Sequence, residues 1–192
     1  MKKDLVEKKK KKSSREIILK EAFKLFLQRN VEKVTVPDLE KATGVQRGAI
    51  FYHFKDKETL FIEVVKKYFF SELNIFYPLN PDGISSFEEY IQEKEKHLNY
   101  IINWFLNENL ALNPYASFFH LSSQANLYYP TFKNEMFGLL NMDKLYWQKA
   151  AEIDNLTSSE ILLSKHVGEV FRSAYLERCF NACYSETNVS PL

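Results

Sequence analysis

The chain has 192 residues, 45% of them hydrophobic and 15% aromatic, enough to build one ordinary domain or two small ones around a real core. With 5 Gly and 6 Pro it has little punctuation, which favours long helices over many short strands. It holds no apolar run long enough to span a membrane, and its basic N-terminus has no apolar segment behind it to make a secretory signal. With only two cysteines as well, the cytoplasm is the expected compartment.

The net charge of +1 hides an asymmetry. Residues 1–57 carry 16 Lys and Arg against 8 Asp and Glu, whereas residues 58–192 carry 10 against 17. A basic front half suits contact with phosphates, and an acidic back half keeps the remainder away from them.

Residues 1–14 read as a flexible basic arm, because Lys8 to Lys12 repel one another. The arm is either a solubility tail or a strand of charge that lies along phosphates or enters a minor groove. Ser13 or Ser14 then caps a first helix over 15–29, with Ile18, Ala22, Leu25 and Phe26 at helical spacing and Asn30 as a left-handed stop. Thr35 caps a second helix with Pro37 and Asp38 in its first turn. Gly44 makes the next turn, where a side chain would clash. Gln46 to Phe54 is a third helix, and Asp56 caps a fourth that runs toward Phe76.

Tyr77-Pro78 and Asn80-Pro81-Asp82-Gly83 mark a junction. Beyond it the chain again reads as helical. One helix covers about 86–109, with Phe87, Ile91, Leu98, Ile102 and Phe105 on a face. A second follows Asn113-Pro114 to about Tyr128, and a third opens at Pro130 and reaches about Asp154. A last helix is capped by Thr157 or Ser158 and continues to about Glu186. The fold class expected is therefore all-α. A three-helix unit occupies 15–57, a helical unit occupies 58–192, and the helix starting near Asp56 links them.

Two very short helices joined at Gly44 make a helix-turn-helix, whose second helix enters the major groove of DNA. Gln46 and Arg47 open that helix. Gln pairs bidentately with adenine and Arg with guanine. Thr35 and Lys57 sit at helix N-termini, which attract phosphate. Tyr52 and His53 are placed to reach the DNA backbone, while Ile50 and Phe54 pack inside. The alternatives are a plain solvated turn for Gln46 and Arg47, ordinary packing for His53, and a surface ion pair for Lys57.

Over residues 16–68 the chain resembles the TetR family of bacterial one-component transcriptional regulators. The resemblance rests on Ile18-Leu19, Ala22 and Leu25-Phe26 in the first helix, Thr35, and Thr43-Gly44-Val45. It continues through Gly48-Ala49-Ile50-Phe51-Tyr52-His53-Phe54-Lys55-Asp56-Lys57-Glu58-Thr59-Leu60. Gly48 joins the DNA-facing set on that motif. Ala49 and Phe51 depart from the family's hydroxyl-bearing residues, so two phosphate contacts are lost, and Glu40 and Thr43 replace common alanines. The resemblance implies a non-enzymatic regulator, a repressor, that binds a double-stranded operator as a homodimer through its last two helices. It also implies release by a small effector.

Residues 58–192 hold 12 Phe, 10 Tyr and 2 Trp, and aromatics of this kind line apolar pockets. The expected pocket draws on Tyr100, Asn103, Trp104, Phe118 and Phe119 from one stretch. From the next it draws on His120, Gln124, Tyr128, Tyr146 and Trp147. Each of these residues is otherwise simply core or interface. Without an effector, the second unit would only dimerise or dock a protein partner. His53, His97, His120 and His166 form no metal-binding pair, and Cys179 and Cys183 read as small buried residues, so no metal or cofactor is expected.

Overall fold

The computed structural model describes residues 13–74, 83–110 and 112–156. The expected lysine arm, the junction turns and the last helix with its two cysteines lie largely outside these residues. All regular structure among the described residues is helical: α1 (Ser14–Gln28), α2 (Val36–Thr43), α3 (Arg47–His53), α4 (Lys57–Val64), α5 (Phe87–Asn107), α6 (Pro114–Tyr128) and α7 (Phe132–Ile153). A short 3-10 turn (Val31–Lys33) precedes α2, and a π-helix (Val65–Glu72) follows α4. The chain divides into two compact units at Val64/Val65, so α4 falls in the first unit rather than opening the second.

In the first unit α1 is the central element. Ser13 accepts the Glu16 N–H while the Glu16 carboxylate accepts the Ser13 N–H, a reciprocal cap that fixes where the helix begins. Its inner stripe of Ile18, Leu19, Ala22, Phe23, Phe26 and Leu27 is buried against α2 and α4. Each large side chain contributes about 1.5–3 kcal/mol on burial. Phe26 meets Phe61 of α4 edge to face, with centroids 5.1 Å apart. The helix ends without a left-handed residue. Arg29 is extended (φ −138°) and Asn30 has φ −58°, so Asn30 is not the stop expected; the 3-10 turn at Val31 takes the chain onward instead.

In the second unit Asn113 caps α6 by accepting the Ala116 N–H, with Pro114 in the first turn as its missing N–H allows. Pro130 does not open α7. It lies in a turn, and the helix begins two residues later at Phe132. The inner stripe of α5 is Tyr90, His97, Ile101 and Phe105. That is a different phase from Phe87, Ile91, Leu98 and Ile102, which are only partly buried. Phe105, Phe69 and Phe118 form an aromatic core joining α5, the π-helix and α6.

Candidate nucleic-acid interface

The turn between α2 and α3 is built by local chemistry. Thr35 and Asp38 cap each other at the start of α2. The Asp38 N–H donates to Thr35 Oγ1, and the Thr35 N–H and hydroxyl both donate to Asp38 Oδ2, at 2.8 and 2.6 Å. These bonds, with Arg29 3.2 Å away, hold the Asp38 carboxyl down at about 2. The expected phosphate seat at Thr35 thus already has its hydroxyl and N–H turned toward an internal carboxylate.

Gly44 ends α2 in the left-handed region (φ 67°), donating its N–H to the Glu40 carbonyl at 2.9 Å. Thr43 Oγ1 donates to Leu39 O at 2.7 Å and accepts the Val45 N–H at 3.1 Å. The Glu40 carboxylate then crosses the turn to accept the Arg47 N–H at 2.6 Å, at the first position of α3.

Helix α3 is anchored from below by Ile50 and Phe54, each 1% exposed. Those two fasten the middle and end of the helix, and its start projects beyond them, with Gln46 still in extended backbone (φ −67°, ψ 150°). Gln46, Arg47, Gly48 and Ala49 are exposed, and Tyr52 is 85% exposed. The Arg47 guanidinium lies over the Phe51 ring, 5.7 Å from its centroid, and Tyr52 meets the half-buried His53 edge to face. A cation held over a ring keeps its fork of donors outward with less freedom to lose.

Lys57 is placed differently from the others. Its ammonium donates to Val34 O at 2.9 Å and to Glu32 O at 3.2 Å, tying α4 to the end of the 3-10 turn. It is half-buried and acts first as a structural tie. Asp56 caps α4 as expected, accepting the Thr59 N–H at 2.7 Å.

Among the described residues, those expected to line an aromatic pocket in the second unit take different positions. Tyr100 (47% exposed), Phe119 (60%) and Asn103 face solvent. Phe118 is buried in the ring core with Phe69 and Phe105. Trp104 packs by Tyr68 and Phe105, and Trp147 packs against Phe87 (4.5 Å) and Tyr90 (5.9 Å). His120, Gln124, Tyr128 and Tyr146 are half-buried. The physical reason is the phase of α5: its inner stripe passes through residues 90, 97, 101 and 105, which puts residues 100 and 103 on the outside.

Sequence reasoning missed the polar stripe inside this unit. Asp143 of α7, almost fully buried, accepts the Tyr90 hydroxyl at 2.9 Å and pairs with Lys94 Nζ at 2.9 Å. Burial first, and then the Asp143 charge, push the Tyr90 hydroxyl far up. One turn further along α5, His97 is 5% exposed, with Nε2 bonded to Asn74 O and Nδ1 without a hydrogen-bond partner. Burial lowers its pKa, so the ring is neutral and Nδ1 is an acceptor. Lys94 and His97 in the sequence are ordinary helix-surface residues, and their inward direction becomes visible only once the phase is known.

Among the described residues, no group of three or more His, Cys, Asp or Glu side chains could hold a metal ion, and no helix is long and apolar enough to cross a membrane.

The family described as "Bacterial regulatory proteins, tetR family" matches residues 18–64, the span of α1 to α4. The chain is 47% identical over 55 residues to the HTH-type transcriptional repressor AcnR of Corynebacterium glutamicum, covering 29% of each protein. It is 47% identical over 51 residues to the HTH-type transcriptional regulator AcrR of Shigella flexneri, covering 27% of this chain and 24% of the relative. The chain thus spans less than a third of the length of these curated relatives. Its fold resembles the crystal structure of E. coli NemR in reduced form at a TM-score of 0.52, with 18% identity over 94% of this chain and 100% of that one.

Proposed function

Since residues 18–64 belong to the TetR family of bacterial regulators, we propose that this protein is a transcriptional repressor, not an enzyme, that binds a double-stranded operator as a homodimer in the cytoplasm. The observation that carries the reading is the mount of α3: Ile50 and Phe54 anchor it inside while Gln46, Arg47 and Tyr52 stand out in solvent. An exposed helix start of this kind meets base edges in the major groove. Arg47 takes the base-reading role, with Gln46 beside it. Gly48 and Ala49 let the helix approach closely, and Tyr52 and His53 reach the backbone. Thr35 and Lys57 hold the reader in shape and flank it.

Dimerisation through the last two helices draws support from α7. Its outer face carries Phe137 (67% exposed), Leu140 and Leu145, and Phe137 and Leu140 line an open groove of about 210 Å³ with Phe132 and Met136. An apolar stripe of this kind marks an interaction site. A two-fold dimer then reads two half-sites about one DNA turn apart.

For the effector, one buried group in the second unit supports a polar contact: His97, whose Nδ1 has no hydrogen-bond partner. A small molecule with an apolar body and a hydroxyl donor suits it, and binding that favours a non-reading state releases the operator. The effector-independent reading is favoured by a separate observation, the close packing of Phe118 with Phe69 and Phe105. Selection from a random duplex pool, followed by competition with a panel of hydroxylated aromatic compounds, separates the two. A palindromic site released by some compound supports the first, and a palindromic site that no compound releases supports the second. Enrichment of no sequence contradicts both.

A further inference from the structure

Gln46 occupies the N-cap position of α3, yet its side chain makes no capping bond. Caps are ordinarily Ser, Thr, Asp or Asn, whose short side chains curl back to the helix N–H groups; glutamine is not among them. The bond is supplied from outside the helix by Glu40 Oε1, 2.6 Å from the Arg47 nitrogen. Glu40 is also the residue whose carbonyl accepts the Gly44 N–H, so one residue holds both the turn and the helix that follows it.

Two consequences follow from this arrangement. The Gln46 amide, relieved of capping, is exposed at the leading edge of α3. A carboxylate also stands beside the first N–H of the helix, and it repels phosphate from that end. We propose that Glu40 is a positioning residue for sequence reading: by capping α3 in place of Gln46, it leaves the Gln46 amide free to pair bidentately with an adenine in each half-site. Glu40 acts through Gln46 and touches no base itself. The inference rests on the DNA-binding reading above and deepens it by naming the base and the residue that makes its recognition possible.

The test uses the full chain and a pool of random-sequence duplexes, with bound sequences counted for the wild type, Glu40→Ala, Glu40→Gln, Gln46→Ser and the double variant Glu40→Ala/Gln46→Ser. Thermal melting of each protein without DNA is the second readout. Wild type is expected to prefer adenine at one position of each half-site by on the order of tenfold. Gln46→Ser loses that preference alone. Glu40→Ala loses it too and melts lower by roughly 2–4 °C, the scale of a lost cap. Glu40→Gln, whose amide oxygen still accepts the Arg47 N–H, keeps both. The double variant recovers the melting temperature, because serine caps its own helix, but not the adenine preference. An unchanged adenine preference in Glu40→Ala would overturn the proposal, as would a double variant that melts no higher than Glu40→Ala. If the wild type enriches no sequence while the melting rescue holds, capping stands and the DNA-reading premise fails, taking the base assignment with it.

Discussion

Lys94 Nζ lies 2.9 Å from Asp143 Oδ1, joining α5 to α7 by an ion pair whose side chains are 12% and 5% exposed. The Tyr90 hydroxyl shares the same oxygen. Taking two charges out of water is costly, and the pair is tolerated because each charge compensates the other and a hydroxyl adds a second bond to the carboxylate. Asp143→Ala is expected to destabilise the protein by about 3–5 kcal/mol, since it leaves a buried ammonium uncompensated. Tyr90→Phe removes one hydrogen bond and should cost about 1–3 kcal/mol. Lys94→Met/Asp143→Leu should cost less than Asp143→Ala alone. Urea unfolding of the three variants checks the order, and a double variant weaker than Asp143→Ala would contradict it.

Lys57 provides a contrast between structure and DNA contact. Its bonds to Glu32 O and Val34 O predict that Lys57→Met lowers stability by about 1.5–3 kcal/mol, the range for hydrogen bonds made by a charged donor. The salt dependence of DNA binding should be nearly unchanged, because those donors are already engaged. A fall in the slope by about one phosphate's worth, with stability intact, would make Lys57 a backbone contact instead.

The Thr35–Asp38 cap sets an acid limit for the start of α2. The folded Asp38 pKa is depressed from 3.8 to about 2, chiefly by the Thr35 side-chain and backbone bonds. A depressed carboxyl pKa contributes stability that is present above the unfolded value and lost as pH falls through the folded one. The cap should therefore begin to lose its contribution below about pH 4 and be gone below about 2. Carboxyl NMR titration should place the Asp38 midpoint near 2, rising toward the ordinary value in Thr35→Val. A wild-type midpoint at the ordinary value would mean that the reciprocal cap is not formed in solution.

How far the sequence alone reached follows from the range of the forces involved. Thr35, Gly44 and Asp56 were legible because caps and left-handed turns are decided within four residues of chain. Ile50 and Phe54 were legible because two large apolar residues four apart share one helix face, which the polar Tyr52-His53 pair does not. The α5 stripe was not, because its true inner face includes Tyr90 and His97, and counting only the clearly apolar positions shifts the phase. Asp143 and Lys94 are 49 residues apart, and no local pattern pairs them. Pro130 misled by two residues because a proline that can begin a helix can equally sit in the turn before it.

On α7, Phe137→Asp combined with Leu145→Asp should yield monomers by sedimentation, because each places a charge on an apolar stripe that the dimer would bury. The α-helical content should be retained, as both side chains stand largely in solvent within one protomer. A folded double variant that remains dimeric would put the interface elsewhere.

The central claim is that the exposed start of α3 reads base sequence, and Arg47→Ala on a selected site tests it most directly. Binding to that site and to a scrambled duplex is measured at the same salt concentration. The account predicts that specific binding weakens by about 1–3 kcal/mol, that guanine preference at one half-site position is lost, and that binding to scrambled DNA changes far less. Equal losses on both duplexes would contradict it, and would reduce Arg47 to a contact with phosphate.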